Sequence, residues 1–125
     1  MPVATFCLVA LDCPEPRRLA EFYQGLLGGE VKADRDDWAE LFLPDGTGRL
    51  AFQHAPDLRP PDWPRADGNS QQLHLDLRVT DVEAAERHAL ELGARPLDTD
   101  DDGGRRDFRV YADPAGHPFC FVHGS

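Results

Sequence analysis

Apolar residues run almost unbroken from Thr5 to Leu11 (Thr5-Phe6-Cys7-Leu8-Val9-Ala10-Leu11) and stop before Pro14 and Pro16, the pattern of a buried strand. The period then changes. From Glu15 onward Leu19, Phe22, Tyr23, Leu26 and Leu27 recur at helical spacing, Pro16 suits a first turn, and Gly28-Gly29 ends the helix. Trp38 to Leu43 predicts a second strand. Pro44-Asp45-Gly46-Thr47-Gly48 reads as a turn, and Leu50-Ala51-Phe52-Gln53 as a strand hairpinned onto the one before it.

After a Pro-rich and then small, polar stretch over about residues 56–71, the same programme recurs. Leu73-His74-Leu75-Asp76-Leu77-Arg78-Val79 alternates strictly, which predicts a half-buried strand. Asp81 suits the cap of a helix carrying Val82, Ala85, His88, Ala89 and Leu92 and stopping at Gly93. Phe108 to Tyr111 reads as a strand, Asp113-Pro114-Ala115-Gly116 as a turn, and Pro118 to Val122 as the closing strand. A further short strand is expected after each helix. The chain therefore reads as an internal duplication inside a single domain: module one over about 1–55, a linker over about 56–71, and module two over about 72–125. Neither half is long enough to fold comfortably alone.

Composition adds exclusions. The chain has 125 residues, with 41% hydrophobic and 29% charged side chains, which is ordinary for a globular protein. Its formal charge of -10 opposes phosphate backbones and anionic lipid, so nucleic-acid and membrane partners are not expected. No apolar run approaches the ~20 residues of a membrane span, and no basic region leads into a signal-peptide core. Three scattered cysteines (Cys7, Cys13, Cys120) do not make a secreted disulfide framework. A cytoplasmic location is expected.

Three local sequences carry a family resemblance: Leu11-Asp12-Cys13-Pro14 leading into Ala20-Glu21-Phe22-Tyr23 and Leu26-Leu27-Gly28; Gln72 to Leu77; and Tyr111-Ala112-Asp113-Pro114-Ala115-Gly116-His117-Pro118-Phe119. Together they resemble the vicinal oxygen chelate superfamily, which includes glyoxalase I, bleomycin-resistance proteins and extradiol dioxygenases. The likeness is strongest to small glyoxalase-like domain proteins. It implies an α+β fold in which two βαβββ modules pair into a curved mixed sheet enclosing a cavity, with helices on the outer face. It also implies a divalent metal held by four side chains, two from the first strands and two from the last strands of the modules.

Alternation turns Leu73, Leu75, Leu77 and Val79 toward the helices and His74, Asp76 and Arg78 toward the implied pocket. Matching Glu15 with Asp81 places His74 opposite Leu8 and Arg78 opposite Asp12. Cys120 falls on the family's final-strand ligand position, and Gln53 on its counterpart in module one. The four positions then read Leu8, Gln53, His74 and Cys120, an incomplete ligand set. If any metal binds, His74, Gln53 and Cys120 would hold it, and weak or absent binding is expected. No cofactor is otherwise predicted. His74 is the candidate general base, and Cys7 is expected in the core.

Asp12, Gln53, Asp76, Arg78, Arg109, Tyr111, Cys120 and Trp63 are the candidate ligand contacts. Arg109 suits an anionic ligand at the pocket mouth, and Trp63 is an aromatic in a Pro-rich connection with little core to fill. Asp98 to Gly103 matches the opening of a calcium loop, but Arg109 stands at the twelfth position, so a solvated acidic loop is expected. His54, His88, His117 and His123 read as surface residues. The function expected is binding of a small organic molecule by a homodimer, with a lyase- or isomerase-type reaction on an organic metabolite as the enzymatic form. The alternative is non-catalytic sequestration of a drug or metabolite.

Overall fold

In the computed structural model, residues 2–3, 5–61, 71 and 73–124 are described below. Trp63 lies outside them. The chain divides into two compact units, residues 1–58 and 59–125, each with one helix and one four-stranded sheet.

The first unit runs β1 (Val9–Cys13), α1 (Pro16–Leu27), β2 (Glu30–Arg35), β3 (Trp38–Phe42) and β4 (Arg49–His54), with strand order β1-β4-β3-β2. β1 and β4 are parallel and the other pairs antiparallel, so the sheet is mixed. Pro16 opens α1, where a missing N–H costs nothing. Leu19, Ala20, Phe22 and Tyr23 are buried on the helix, as are Leu11, Ala39, Leu41, Leu50 and Phe52 on the sheet. Tyr23 stacks on Phe52 at 5.9 Å between centroids. The Gly28-Gly29 end is demanded by geometry: Gly29 has φ +95°, and a Cβ there would lie 2.2 Å from the Phe42 carbonyl oxygen.

The second unit repeats the order: β5 (Leu75–Arg78), α2 (Val82–Leu92), β6 (Arg95–Asp98), β7 (Phe108–Ala112) and β8 (Pro118–Val122), arranged β5-β8-β7-β6. The Asp81 side chain accepts the Ala84 N–H at 3.1 Å, capping α2, and Gly93 closes it in the left-handed region at φ +112°. Asp113, almost fully buried, explains the turn before β8. Its Oδ1 accepts the N–H groups of Ala115 (2.9 Å) and His117 (3.0 Å), while Gly116 leaves room for Pro60. The chain is thus α+β, built of two βαβββ modules with two four-stranded mixed sheets.

Two local expectations differ. The first strand begins at Val9, and Phe6 and Cys7 are exposed, so Cys7 is not core. Apolar composition alone extended that strand, but the parallel ladder to β4 pairs only Val9 to Cys13. The N-terminal end of the alternating segment is likewise open: Leu73 is 48% exposed and lies before β5.

Candidate functional site

Register decides which side chains share a face. In the second unit Asp76 pairs with Cys120 across β5 and β8, and Cys120 pairs with Val110 across β8 and β7. Leu75, Leu77, Phe119, Phe121, Arg109 and Tyr111 therefore point to the opposite side, toward α2. The structure joins His74, Asp76 and Cys120 into one cluster whose ligating atoms all lie within 4.8 Å of one another. His74 Nε2 is 3.2 Å from Asp76 Oδ1, and its Nδ1 is 2.8 Å from Gln71 Oε1, so both ring nitrogens face oxygens. Cys120 is only 2% exposed. Burial above all, reinforced by the neighbouring Asp76 carboxylate, pushes its thiol up to about 12. Burial and Asp76 outweigh the attraction of the Arg106 guanidinium, so Cys120 is a neutral thiol and a poor nucleophile at neutral pH.

Arg109 and Tyr111 do not join this cluster. Alternation correctly set them opposite Val110, but that side packs on the helix. Arg109 Nε donates to Asp101 Oδ2 at 2.8 Å, and its Nη atoms reach Glu83 (3.1 Å) and Glu86 (3.4 Å). Hydrogen bonds to Glu83 and Asp101 raise the Arg109 pKa further, and the same guanidinium holds the Asp101 carboxyl below its ordinary range. Tyr111 Oη donates to Glu86 Oε1 at 2.7 Å. Burial and that carboxylate push its hydroxyl pKa well up. A cationic side chain already shared among three carboxylates is not an anion receptor at a pocket mouth.

The acidic 98–102 loop is correspondingly less solvated than expected. Asp101 is buried, and Asp98 receives Arg106 at 3.0 Å. His123, expected at the surface, has a largely buried ring with Nε2 3.3 Å from Asp101 Oδ2, not aligned for a hydrogen bond. Arg78 stays exposed on the His74 side, opposite Val122.

In the first unit Asp12, Gln53 and Trp38 are neighbours on one face through the pairings Asp12–Gln53 and Trp38–Gln53, and both Asp12 and Gln53 are exposed. Farther along that face Glu40 accepts from Trp38 Nε1 and from Arg49 (both 2.9 Å), and Arg49 also donates to Cys7 Sγ at 2.9 Å. Aligning the helix starts, Pro16 and Val82, corrects one assignment. Asp76 then matches Ala10, whose partner is Ala51, so Cys120 matches Ala51, and Gln53 matches Val122. Gln53 pairs with Asp12 and so lies two residues beyond Ala51, the position that pairs with Ala10.

A family model described as a glyoxalase-like domain matches residues 8–122. The chain belongs to the glyoxalase-like domain family. No curated protein matches the sequence significantly. Several solved structures share the fold of this glyoxalase-like chain. The fosfomycin resistance protein FosX from Mesorhizobium loti is 13% identical, with TM-score 0.68 over 99% of this chain and 94% of its own. A glyoxalase/bleomycin resistance protein/dioxygenase family enzyme from Burkholderia phytofirmans PsJN is 15% identical (TM-score 0.67, 96% and 98% covered). A glyoxalase/bleomycin resistance protein from Albidiferax ferrireducens T118 is 14% identical (TM-score 0.64, 98% and 100% covered).

The metal implied by the superfamily resemblance takes donors from both modules, and this glyoxalase-like chain does not supply them in that way. Leu8 and Ala51, the first-unit counterparts of His74 and Cys120, have no ligating atoms. Among the described residues, the grouped side chains with ligating atoms, His74, Asp76 and Cys120, are in the second unit. Asp76, read from the sequence as a pocket-lining acid, is brought by the β5–β8 register against Cys120 and beside His74. Its two-residue spacing from His74 on an alternating segment was the available signal.

Proposed function

We propose that this glyoxalase-like protein binds a small organic molecule on the face of β5 and β8 that carries His74, Asp76 and Cys120. The observation that supports it is the imidazole fixed between Gln71 Oε1 and Asp76 Oδ1, above a buried thiol. The exposed Asp76 carboxylate beside that imidazole, and exposed Arg78 farther along the same face, offer an acceptor and a donor to a polar ligand. His74 is then the group that recognises the ligand and, in the enzymatic form of this function, the general base of a lyase- or isomerase-type proton transfer. The same imidazole in a sequestering protein would only hold the ligand.

A thermal-shift and calorimetric panel of 2-oxoaldehyde adducts, epoxides, catechols and cationic drugs tests this reading on the full chain. His74→Ala should weaken any hit by about 1–3 kcal/mol, the effect of a lost hydrogen bond, while the melting temperature of the free protein changes little. Turnover of a hit that His74→Ala abolishes marks the enzyme. Stoichiometric binding without turnover marks the sequestering protein. A panel hit unaffected by His74→Ala would move the site elsewhere.

A homodimer is part of this proposal, because a chain with two modules is the small form of its superfamily. Light scattering should give twice the chain mass at micromolar concentration. Trp63 is proposed to contact the ligand or the partner, and its fluorescence should respond to one of the two.

A further inference from the structure

Trp38, Glu40 and Phe42 alternate along β3 on the side away from α1, because Ala39 and Leu41 between them are fully buried on the helix side. With side chains of β2 and β4 they line an open cavity of about 310 Å³, the size of a small ligand site. A bulge shapes its rim. Lys32 pairs with Glu40 and Arg35 with Trp38, so Ala33 and Asp34 together oppose Ala39, and Asp34 lines the cavity beside Arg35.

Most of the charge in this cavity is already committed. Glu40 accepts from Trp38 Nε1 and from Arg49 Nη1, both at 2.9 Å, and Arg35 is bidentate on Asp37 at 3.0 and 3.2 Å. Two groups remain. Lys32 Nζ lies 4.8 Å from the centroid of the Phe42 ring, and neither Lys32 nor Asp34 has an ionic partner among the described residues. The Arg49 guanidinium stands 5.2 Å from the same ring, so Phe42 is taken up by cations. The half-buried Trp38 indole, oriented by its bond to Glu40, is the aromatic surface left for a ligand. One indole, one cation and one carboxylate complement a ring that carries both an anion and a cation. An aromatic acid would meet Asp34 as a like charge, and an aromatic amine would meet Lys32 in the same way. We propose that this face of the first unit binds an aromatic zwitterion of the amino-acid class, with its carboxylate on Lys32, its ammonium on Asp34 and its ring on Trp38. The site belongs to the first unit alone and does not rest on the ligand reading of β5 and β8.

Calorimetric titration of the full chain with L-phenylalanine tests the site. The expected result is one molecule per chain, with 3-phenylpropionate (no amine), phenethylamine (no carboxylate) and L-leucine (no ring) each at least tenfold weaker. Lys32→Gln should weaken L-phenylalanine at least tenfold and leave phenethylamine no weaker. Asp34→Asn should weaken L-phenylalanine by a similar factor and leave 3-phenylpropionate no weaker, because a like charge has been removed. Lys32 and Asp34 are exposed, so both variants keep the fold. Trp38→Leu should weaken every ring-bearing compound. His74→Ala should leave L-phenylalanine binding unchanged, which separates this site from the proposed ligand face of the second unit. Absence of saturable binding at millimolar L-phenylalanine overturns the proposal, as does equal affinity for either singly charged analogue. A loss caused by His74→Ala and not by Lys32→Gln or Asp34→Asn overturns it too.

Discussion

The two units share one chain order and one sheet topology, yet they hold their helices by different physics. In the first, α1 buries Leu19, Ala20, Phe22 and Tyr23, and Tyr23 stacks on Phe52 against an apolar sheet face. In the second, Ala89 is the one fully buried residue among those described on α2, and its polar residues Glu83 and Glu86 reach Arg109 and Tyr111 on β7. Aligned by helix starts and register, Ala20 and Ala39 of the first unit correspond to Glu86 and Arg109 of the second. The opposite faces differ too: Ala10 and Ala51 stand where the second unit has Asp76 and Cys120. The first unit thus faces its helix with apolar side chains, whereas the second sets an arginine and a glutamate among the apolar ones. Non-directional burial suffices to hold a scaffold, whereas directional pairs also fix where charged groups sit.

The comparison breaks most sharply at Tyr23. Tyr23→Ala removes a fully buried aromatic and leaves a cavity against Phe22 and Phe52, so the stability loss should be about 3–5 kcal/mol, as for other buried aromatic truncations. Hydrogen exchange should rise across α1 and β1 to β4. A loss under about 1 kcal/mol would mean that α1 is not held by its aromatic face.

Arg109→Met should cost less, about 1–3 kcal/mol, because the methionine keeps the hydrophobic stem while Asp101 loses its partner. Exchange should increase across α2 and β7, and the loss should shrink as ionic strength rises, since Glu83 is 64% exposed and its share of the attraction is screened. A salt-independent loss would show that the guanidinium acts through packing alone.

The same contrast explains what was legible beforehand. Period, caps and turn residues placed the two helices and the last strand-turn-strand pair of each unit, because Pro16, Asp81, Gly28-Gly29 and Asp113 to Gly116 act locally. The alternation of His74 and Asp76 gave their shared face correctly. Arg109 and Tyr111 were sent to the wrong side because an arginine on a strand reads as exposed, and only the tertiary partners Glu83, Glu86 and Asp101 make its burial affordable. Gln53 was misplaced because parallel register depends on a ladder between strands far apart in sequence. The convergence of Asp76 with Cys120 needs that same long-range pairing, so it could not be read from either strand alone.

The smallest effect separates two arginine–aspartate pairs. Arg35 holds Asp37 at 3.0 Å in the first unit, with both side chains more than half exposed, and Arg109 holds Asp101 at 2.8 Å in the second, with both largely buried. Each carboxyl is held below its ordinary range, mainly by its hydrogen bond to the arginine. A carboxyl with a lowered folded pKa contributes stability that is fully present above its unfolded value of about 3.9 and disappears as the pH falls through the folded value. Melting temperature should therefore drop on acidification below about pH 4, and Asp101→Asn should flatten that acid limb by lowering the neutral-pH plateau. Asp37→Asn should leave both plateau and limb nearly unchanged, because solvent screens an exposed pair and the freed arginine is rehydrated. Melting curves of the three proteins between pH 3 and 7 decide the matter. Equal responses from Asp37→Asn and Asp101→Asn would mean that burial does not distinguish the pairs, and the electrostatic reading of the second unit would fall with it.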